Sequence, residues 1–153
     1  MSVTISNDFL EATINEQGAE LASLRANEIE YIWQADPKYW GRHAPLLFPF
    51  VGRLKDDQYT YQGKTYSMGQ HGFARDKLFS VVEQTKDKVT FLLESDEETK
   101  AVYPFDFALT VSYEIWGEGV RIRFNVENTG TEEMIFALGG HPAFNIPLTE
   151  ELK

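Results

Sequence analysis

Two histidines beside glycines are the first candidates for chemistry in this sequence. His71 lies in the run QHGFAR at 70–75, and His141 lies in the run GGHPAFN at 139–145. Histidine titrates near neutral pH and suits proton transfer, and a neighbouring glycine lets the backbone approach a ligand closely. Each histidine alone could equally well bond a turn carbonyl. For the third histidine, His43, we favour that structural role.

Two arginines are the candidate ligand-binding cations. Arg53 follows the apolar run LFPFVG, and Arg75 closes the run around His71. A planar guanidinium can hold a hydroxyl or a phosphate group through its fork of donors. The alternative for both residues is a surface arginine paired with one of the 24 acidic side chains.

Other chemistries lack the residues that they require. The sequence has no cysteine, which excludes disulfides, thiolate metal sites and thiol nucleophiles. We find no Asp/His cluster at metal-ligand spacing, no glycine-rich phosphate loop and no nucleophile elbow. The sequence therefore predicts a site without a metal or a cofactor.

Length, composition and charge limit the class of protein. A chain of 153 residues, 42% of them hydrophobic, is enough for one globular domain. A net charge of −10 repels phosphate backbones and anionic lipids, so we expect neither nucleic acid nor a membrane surface as a partner. No apolar run approaches the roughly 20 residues of a membrane helix, and the sequence starts with no secretory leader pattern. We expect a cytoplasmic protein.

Alternation of apolar and polar residues predicts a series of short strands. They are expected at 3–5, 10–14, 19–25, 29–33, 58–61, 64–67, 78–83, 88–94, 107–115, 120–128 and 134–138. Hairpin turns are expected at 62–63, 84–87 and 117–119. The pattern is typical of an all-β fold, an antiparallel β-sandwich.

Two segments interrupt the strand pattern. Residues 36–52 carry three prolines among large apolar residues, which predicts an irregular connection or the wall of a pocket. The acidic stretch 95–102, followed by Pro104, predicts one short helix.

Four segments in this order resemble the aldose 1-epimerase (galactose mutarotase) family, most closely its LacX-like branch. They are GAELASL at 18–24, LFPFVGR at 47–53, HGFAR at 71–75 and GHPAF at 140–144. The ordered set is specific where each piece alone is not. The resemblance implies a galactose mutarotase-like supersandwich that interconverts the α and β anomers of free aldoses.

The resemblance also implies roles for the candidate residues. His141 corresponds to the general acid that protonates the ring oxygen, and His71 and Arg53 correspond to groups that bind the sugar. The glutamate base of the family would lie beyond Lys153, because the resemblance covers only about the first half of the family's usual length. We therefore expect residues 1–153 to form a single, incomplete sandwich domain, and we name no base.

Three functions stay open at this point. The first is an aldose mutarotase that needs its missing half, and the second is a carbohydrate-binding protein without turnover. The third is a hexose-6-phosphate mutarotase in which Arg53 and Arg75 hold the phosphate. An incomplete sandwich leaves open edges and apolar surface, so we expect the chain to form a homodimer or to belong to a longer polypeptide.

Overall fold

The computed structural model describes residues 1–146, which contain twelve strands and one α-helix. The strands are β1 (Ser2–Ser6), β2 (Glu11–Asn15), β3 (Glu20–Ala26), β4 (Ile29–Glu30), β5 (Leu46–Leu47), β6 (Gln58–Tyr61), β7 (Lys64–Ser67), β8 (Ser80–Gln84), β9 (Lys88–Glu94), β10 (Phe107–Trp116), β11 (Gly119–Asn128) and β12 (Gly139–Gly140); the helix is α1 (Glu97–Val102).

Antiparallel pairing organises these strands into two larger sheets and two small ribbons. One sheet has the order β1-β2-β3-β4, and the other has the order β11-β10-β9-β8. The ribbons pair β5 with β12 and β6 with β7. The prediction of an all-β antiparallel fold is confirmed, and the three expected hairpins β6–β7, β8–β9 and β10–β11 all form.

A single apolar core lies between the two four-stranded sheets. Ile5 and Ile14 from the first sheet are fully buried together with Phe91, Leu109 and Val111 from the second. Every second residue of β10 from Phe107 to Ile115 is buried. This period of two turns one face of the sheet towards the first sheet, which gives the sandwich.

The predicted helix is present, and its start is set by a side chain. Asp96 accepts a hydrogen bond from the Thr99 backbone N–H, and the Thr99 hydroxyl accepts one from the Asp96 N–H. This reciprocal pair satisfies donors that the first turn of a helix leaves free. The helix therefore begins at Glu97 and ends before Pro104.

Two sequence predictions were wrong in extent. The stretch 134–138 forms no strand, and pairing occurs one residue later, between β12 and β5. Instead, Ala137 donates a single backbone bond to Pro49, whose missing N–H prevents a continuous ladder. The strand expected at 29–33 ends at Glu30, and Ile32 makes only an isolated bridge to Phe144.

The outer strand β11 presents an apolar stripe that the described residues leave partly open. Val120, Ile122, Phe124 and Val126 share one face, and the side chains of Ile122 and Phe124 are 39% and 36% exposed. Alternation of this kind is typical of a strand with one buried face. Among residues 1–146, no helix has the length and apolar composition needed to cross a membrane.

Candidate active site

The loop that carries His71 is fastened to the buried residue Phe48. The backbone carbonyl of Phe48 accepts bonds from the N–H groups of Phe73 and Ala74 at 3.0 and 3.2 Å, and its N–H donates to the His71 carbonyl at 3.2 Å. The Phe48 ring is fully buried and packs against Phe73 and Phe107. The loop that carries His71 is therefore attached to a buried residue of the core.

The ring of His71 is oriented by the backbone of Gly52. The Gly52 N–H donates to Nδ1 of His71 at 3.0 Å, and the His71 N–H donates to the Gly52 carbonyl at 2.8 Å. Because the lone pair of Nδ1 is used in this way, a neutral His71 carries its proton on Nε2. Nε2 lies 3.2 Å from the side-chain amide nitrogen of Gln70. Because an amide nitrogen only donates, a proton on Nε2 of His71 needs another acceptor, either a ligand oxygen or the Gln70 amide oxygen after the amide turns over.

His141 reaches the same place from the short strand β12. Its N–H donates to the Pro45 carbonyl at 3.1 Å, which extends the β5–β12 pairing. Its ring packs against Trp40, with ring centroids 5.0 Å apart at 45°. The centroids of the His71 and His141 rings are 6.2 Å apart. The structure therefore brings together two histidines that are 70 positions apart in the sequence.

These side chains line a small pocket with a volume of about 180 Å³. Its lining residues are Trp40, Pro45, Leu47, Gln70, His71, Arg75 and His141. Pockets for drug-sized ligands usually enclose about 300–1,000 Å³, so this one suits a smaller molecule. A larger cleft of about 470 Å³ lies near the β10–β11 turn, but it contains no histidine or arginine, so we assign the chemistry to the smaller pocket.

Arg75 is held at the pocket by its own loop. One terminal nitrogen of its guanidinium donates to the Gln70 carbonyl at 2.6 Å, and the side chain is only 18% exposed. Nε is buried without a hydrogen-bond partner among the described residues and lies 3.7 Å from the Asp76 carboxylate. Burial, then the nearby charge of Arg42, lower the pKa of Arg75. Because Nε is buried, the donors that Arg75 can offer to a ligand are the terminal N–H groups that Gln70 does not take.

Arg53, in contrast, does not line this pocket. Its guanidinium forms a two-bond ion pair with Asp57 at 2.8 and 2.7 Å, and the side chain is 68% exposed. The hydrogen bond and the charge of Asp57 raise the pKa of Arg53. Arg53 follows Gly52, the residue that orients His71, so it lies beside the site in the chain. Its expected contact with a sugar stays a prediction.

Trp40 and Gln70 were missed as pocket residues by sequence reasoning. Trp40 stands in the stretch 36–52, which the sequence predicts to be an irregular connection or the wall of a pocket, and Gln70 directly precedes His71. An indole offers a flat apolar face, and an amide offers both a donor and an acceptor. A tryptophan inside a proline-rich apolar run is the signal that could have identified the first of them.

His71 should titrate below the usual range of histidine. Burial, followed by the charges of Arg75 and His141, lowers the pKa of His71 from its ordinary 6.5. Between the native pKa and 6.5, the unfolded chain binds more protons at this site, so the free energy of unfolding should rise with pH through that window. Above 6.5 the contribution of His71 should be flat.

NMR titration of the His71 ring protons measures that pKa directly. Urea unfolding at several pH values measures the linked stability, and His71→Gln should remove the part of the slope that belongs to this residue. A midpoint for His71 at or above 6.5 would contradict the electrostatic description of the site.

The fold and the pocket together define a class: an antiparallel β-sandwich of the galactose mutarotase type, with two histidines at one pocket. Residues 1–153 match the family model described as Aldose 1-epimerase, and the chain belongs to that family. It is 37% identical over 157 residues to Protein LacX, chromosomal, of Lactococcus lactis subsp. lactis, covering 98% of this chain and 52% of that protein. The resemblance read from the four segments is thereby confirmed.

Solved structures agree on the fold. The galactose mutarotase related enzyme from Lactobacillus acidophilus superposes with a TM-score of 0.96 at 49% identity, over 98% of this chain and 51% of that one. A galactose mutarotase-like protein from Lactobacillus casei ATCC 334 gives a TM-score of 0.94 at 42% identity, over 99% and 52%. This chain spans about half the length of the relatives that it matches.

Proposed function

We propose that this chain contributes the acid and the sugar-binding groups of an aldose 1-epimerase, which interconverts the α and β anomers of a free aldose. The observation that carries the proposal is the meeting of His71 and His141, with ring centroids 6.2 Å apart, at one small pocket. Membership of the aldose 1-epimerase family supplies the reaction class.

The reaction needs one proton donor at the ring oxygen and one proton acceptor at the C1 hydroxyl. Protonated His141 gives a proton to the ring oxygen O5 while a base removes the proton of the C1 hydroxyl. The C1–O5 bond breaks and the C1 carbonyl forms. Rotation about C1–C2 and closure on the other face then give the second anomer, with the two proton transfers reversed.

The other pocket residues bind and orient the sugar in this proposal. A neutral His71 donates from Nε2 to a sugar hydroxyl, since its Nδ1 is already occupied by Gly52. Arg75 offers the terminal N–H groups that Gln70 does not take to further hydroxyl oxygens. Trp40 forms an apolar wall against which one face of the sugar ring can pack.

The proton acceptor is assigned to the part of the family that this chain does not span. No carboxylate from residues 1–146 lines the pocket. A general acid or base contributes about 10²–10⁴-fold to a rate, so an unmatched acid should give little catalysis. The complete site therefore combines His141 with a base from a second half.

Polarimetry of freshly dissolved α-glucose or α-galactose tests this function. We expect the chain alone to leave mutarotation near the uncatalysed rate. Mixing it with a polypeptide that carries the complementary half of the Lactobacillus casei relative, 42% identical to this chain over the shared part, should accelerate the reaction. A stable complex of the two that leaves the rate unchanged would exclude the enzymatic function.

A sugar phosphate is the second candidate substrate, and Arg75 is the observation in its favour. A guanidinium that lines the pocket suits an anionic oxygen as well as a hydroxyl. If glucose-6-phosphate is the substrate, it should be turned over in preference to glucose, and Arg75→Ala should remove that preference. If Arg75→Ala lowers the rates with glucose and with glucose-6-phosphate equally, the free aldose remains the substrate.

Binding without turnover is the remaining candidate. It is favoured by the lack of a lining carboxylate among residues 1–146. Isothermal titration with galactose, set beside polarimetry of the same complex, separates binding from catalysis. Saturable binding with no acceleration of mutarotation would favour this candidate over the enzyme.

The apolar stripe of β11 should make the chain associate, either with a second copy or with the complementary half. Ile122 and Phe124 border a small apolar pocket that Phe144 also lines, so the open surface extends to the neighbourhood of His141. Burial of apolar area stabilises association by about 25 cal/mol per Å² before other costs. We expect gel filtration of the chain alone to give a species larger than a monomer.

Two variants on opposite faces of β11 sharpen that prediction. Phe124→Lys places a charge in the open stripe and should shift the chain towards the monomer. Arg123→Gln changes the other face of the same strand and should leave the elution volume unchanged. A stable, compact monomer for the unmodified chain would contradict the prediction.

A further inference from the structure

The carboxylate of Glu20 lies outside the pocket and binds the backbone of the 43–45 segment. That segment in turn pairs with the backbone around His141. Glu20 is the first residue of β3, and its side chain is only 14% exposed. Its Oε1 accepts bonds from two successive backbone N–H groups, those of His43 and Ala44, at 2.9 and 3.0 Å. Glu20 does not line the pocket of His71 and His141.

The carbonyls of the same short segment hold the strand that carries His141. The His43 carbonyl accepts the Ala143 N–H at 2.9 Å, and the Pro45 carbonyl accepts the His141 N–H at 3.1 Å. The His43 carbonyl and the Ala44 N–H belong to one peptide group. A chain of hydrogen bonds therefore runs from the Glu20 carboxylate, through that peptide plane, to the backbone two residues beyond His141.

Such a chain should be stronger than its separate bonds. A charged acceptor makes roughly twice as strong a hydrogen bond as a neutral one, and polarisation of a peptide at its N–H improves its carbonyl as an acceptor. The stretch around Pro45 has little regular pairing of its own, because β5 is only two residues long and proline offers no N–H. Glu20 thus replaces the missing ladder partner of this segment.

The backbone next to Glu20 is held by the core. The Tyr113 hydroxyl, from the buried face of β10, donates to the Ala19 carbonyl at 2.7 Å. The second oxygen of Glu20, Oε2, lies 3.5 Å from Nδ1 of His43, which is buried and has no hydrogen-bond partner among the described residues. The carboxylate is therefore connected to the core on one side and to the 43–45 segment on the other.

We propose that Glu20 is a positioning residue for His141: it fixes the 43–45 segment and so sets where the His141 ring stands relative to Trp40 and His71. The inference rests on the function proposed for His141, but the position of the ring can be measured without any activity. A displacement of about 1 Å in a catalytic group can cost about 10²-fold in rate, so the effect should be measurable in both ways.

NMR of the His141 ring in the 153-residue chain is the primary test. Its centroid lies 5.0 Å from that of Trp40, so contacts between the two rings should be visible as cross-relaxation. Glu20→Ala should shift the His141 ring signals and weaken those contacts. Glu20→Gln keeps an oxygen that can accept both N–H groups and should restore most of the original spectrum. Asp96→Ala removes a comparable carboxylate at the α1 cap and should leave His141 unchanged.

Glu20→Asp carries the test if the alanine variant does not fold. It keeps the charge but shortens the reach by one methylene, so the His141 signals should move in the same direction by a smaller amount. A folded Glu20→Ala or Glu20→Asp chain with unshifted His141 signals and intact contacts to Trp40 overturns the inference.

Kinetics of the complex with the complementary half provide the second measurement. Glu20→Ala should lower kcat by about 10–100-fold with a much smaller change in KM, because the acid is displaced while the sugar-binding groups stay in place. If the unmodified complex shows no mutarotation, the proposed function fails, and the NMR result still decides the role of Glu20.

Discussion

His141→Ala should reduce the catalysed rate of mutarotation by about 10²–10⁴-fold in the complex with the complementary half of the Lactobacillus casei relative, which is the usual contribution of a general acid. The physical reason is that O5 leaves C1 with a developing negative charge, and no other pocket histidine is free to neutralise it. Nδ1 of His71 accepts from the Gly52 N–H, and burial lowers the pKa of His71, so the doubly protonated, cationic form of His71 is disfavoured.

The matched variant His71→Ala should behave differently. It removes the proposed sugar ligand and should act mainly on KM, whereas His141→Ala should act mainly on kcat. Thr85→Ala, in the β8–β9 turn, is the control for surface substitution and should change neither constant. Polarimetry at several sugar concentrations measures both constants. Loss of kcat in His71→Ala with full activity in His141→Ala would reverse the two roles.

The strands were predictable because their signal is local. In β10 every second residue is apolar, and that alternation by itself gives the strand, its buried face and its place in a sandwich. Helix α1 was predictable for a similar reason, since an acidic stretch closed by Pro104 bounds it. Such features depend on residues within ten positions of each other.

The pocket was predictable only in part, because it is made by contacts between distant segments. The ordered motifs placed His71 and His141 in one site, and the structure brings them together. Nothing in the sequence showed that Trp40 would pack on His141, or that Asp57 would accept two hydrogen bonds from Arg53. Proline-rich segments pair through isolated backbone bonds, which have no periodic signature.

The position of His71 depends on a glycine that no other residue can replace. Gly72 has a φ of +72°, in the left-handed region, and a Cβ built on it would lie 2.2 Å from the Phe48 carbonyl oxygen and 2.7 Å from the nitrogen of Pro49. Real Cβ contacts are never so short, and the carbonyl in question accepts the N–H groups of Phe73 and Ala74. A side chain at position 72 must therefore displace the whole 70–74 loop from the backbone of Phe48.

Gly72→Ala should consequently destabilise the chain by more than about 4 kcal/mol or prevent folding, a size reserved for changes that break a buried network. Gly63→Ala is the matched control, because Gly63 has a similar φ of +76° with nothing within 4 Å of its added Cβ. Gly63→Ala should lower the free energy of unfolding by only about 1–2 kcal/mol, which is the effect of a left-handed backbone alone. Urea unfolding measures the free energy of unfolding of both variants. Equal losses of stability would show that the Phe48 backbone can move away from the new Cβ at little cost. If Gly72→Ala does fold, NMR should find the His71 ring displaced from Gly52, because the same contact that fixes the loop also fixes the orientation of His71.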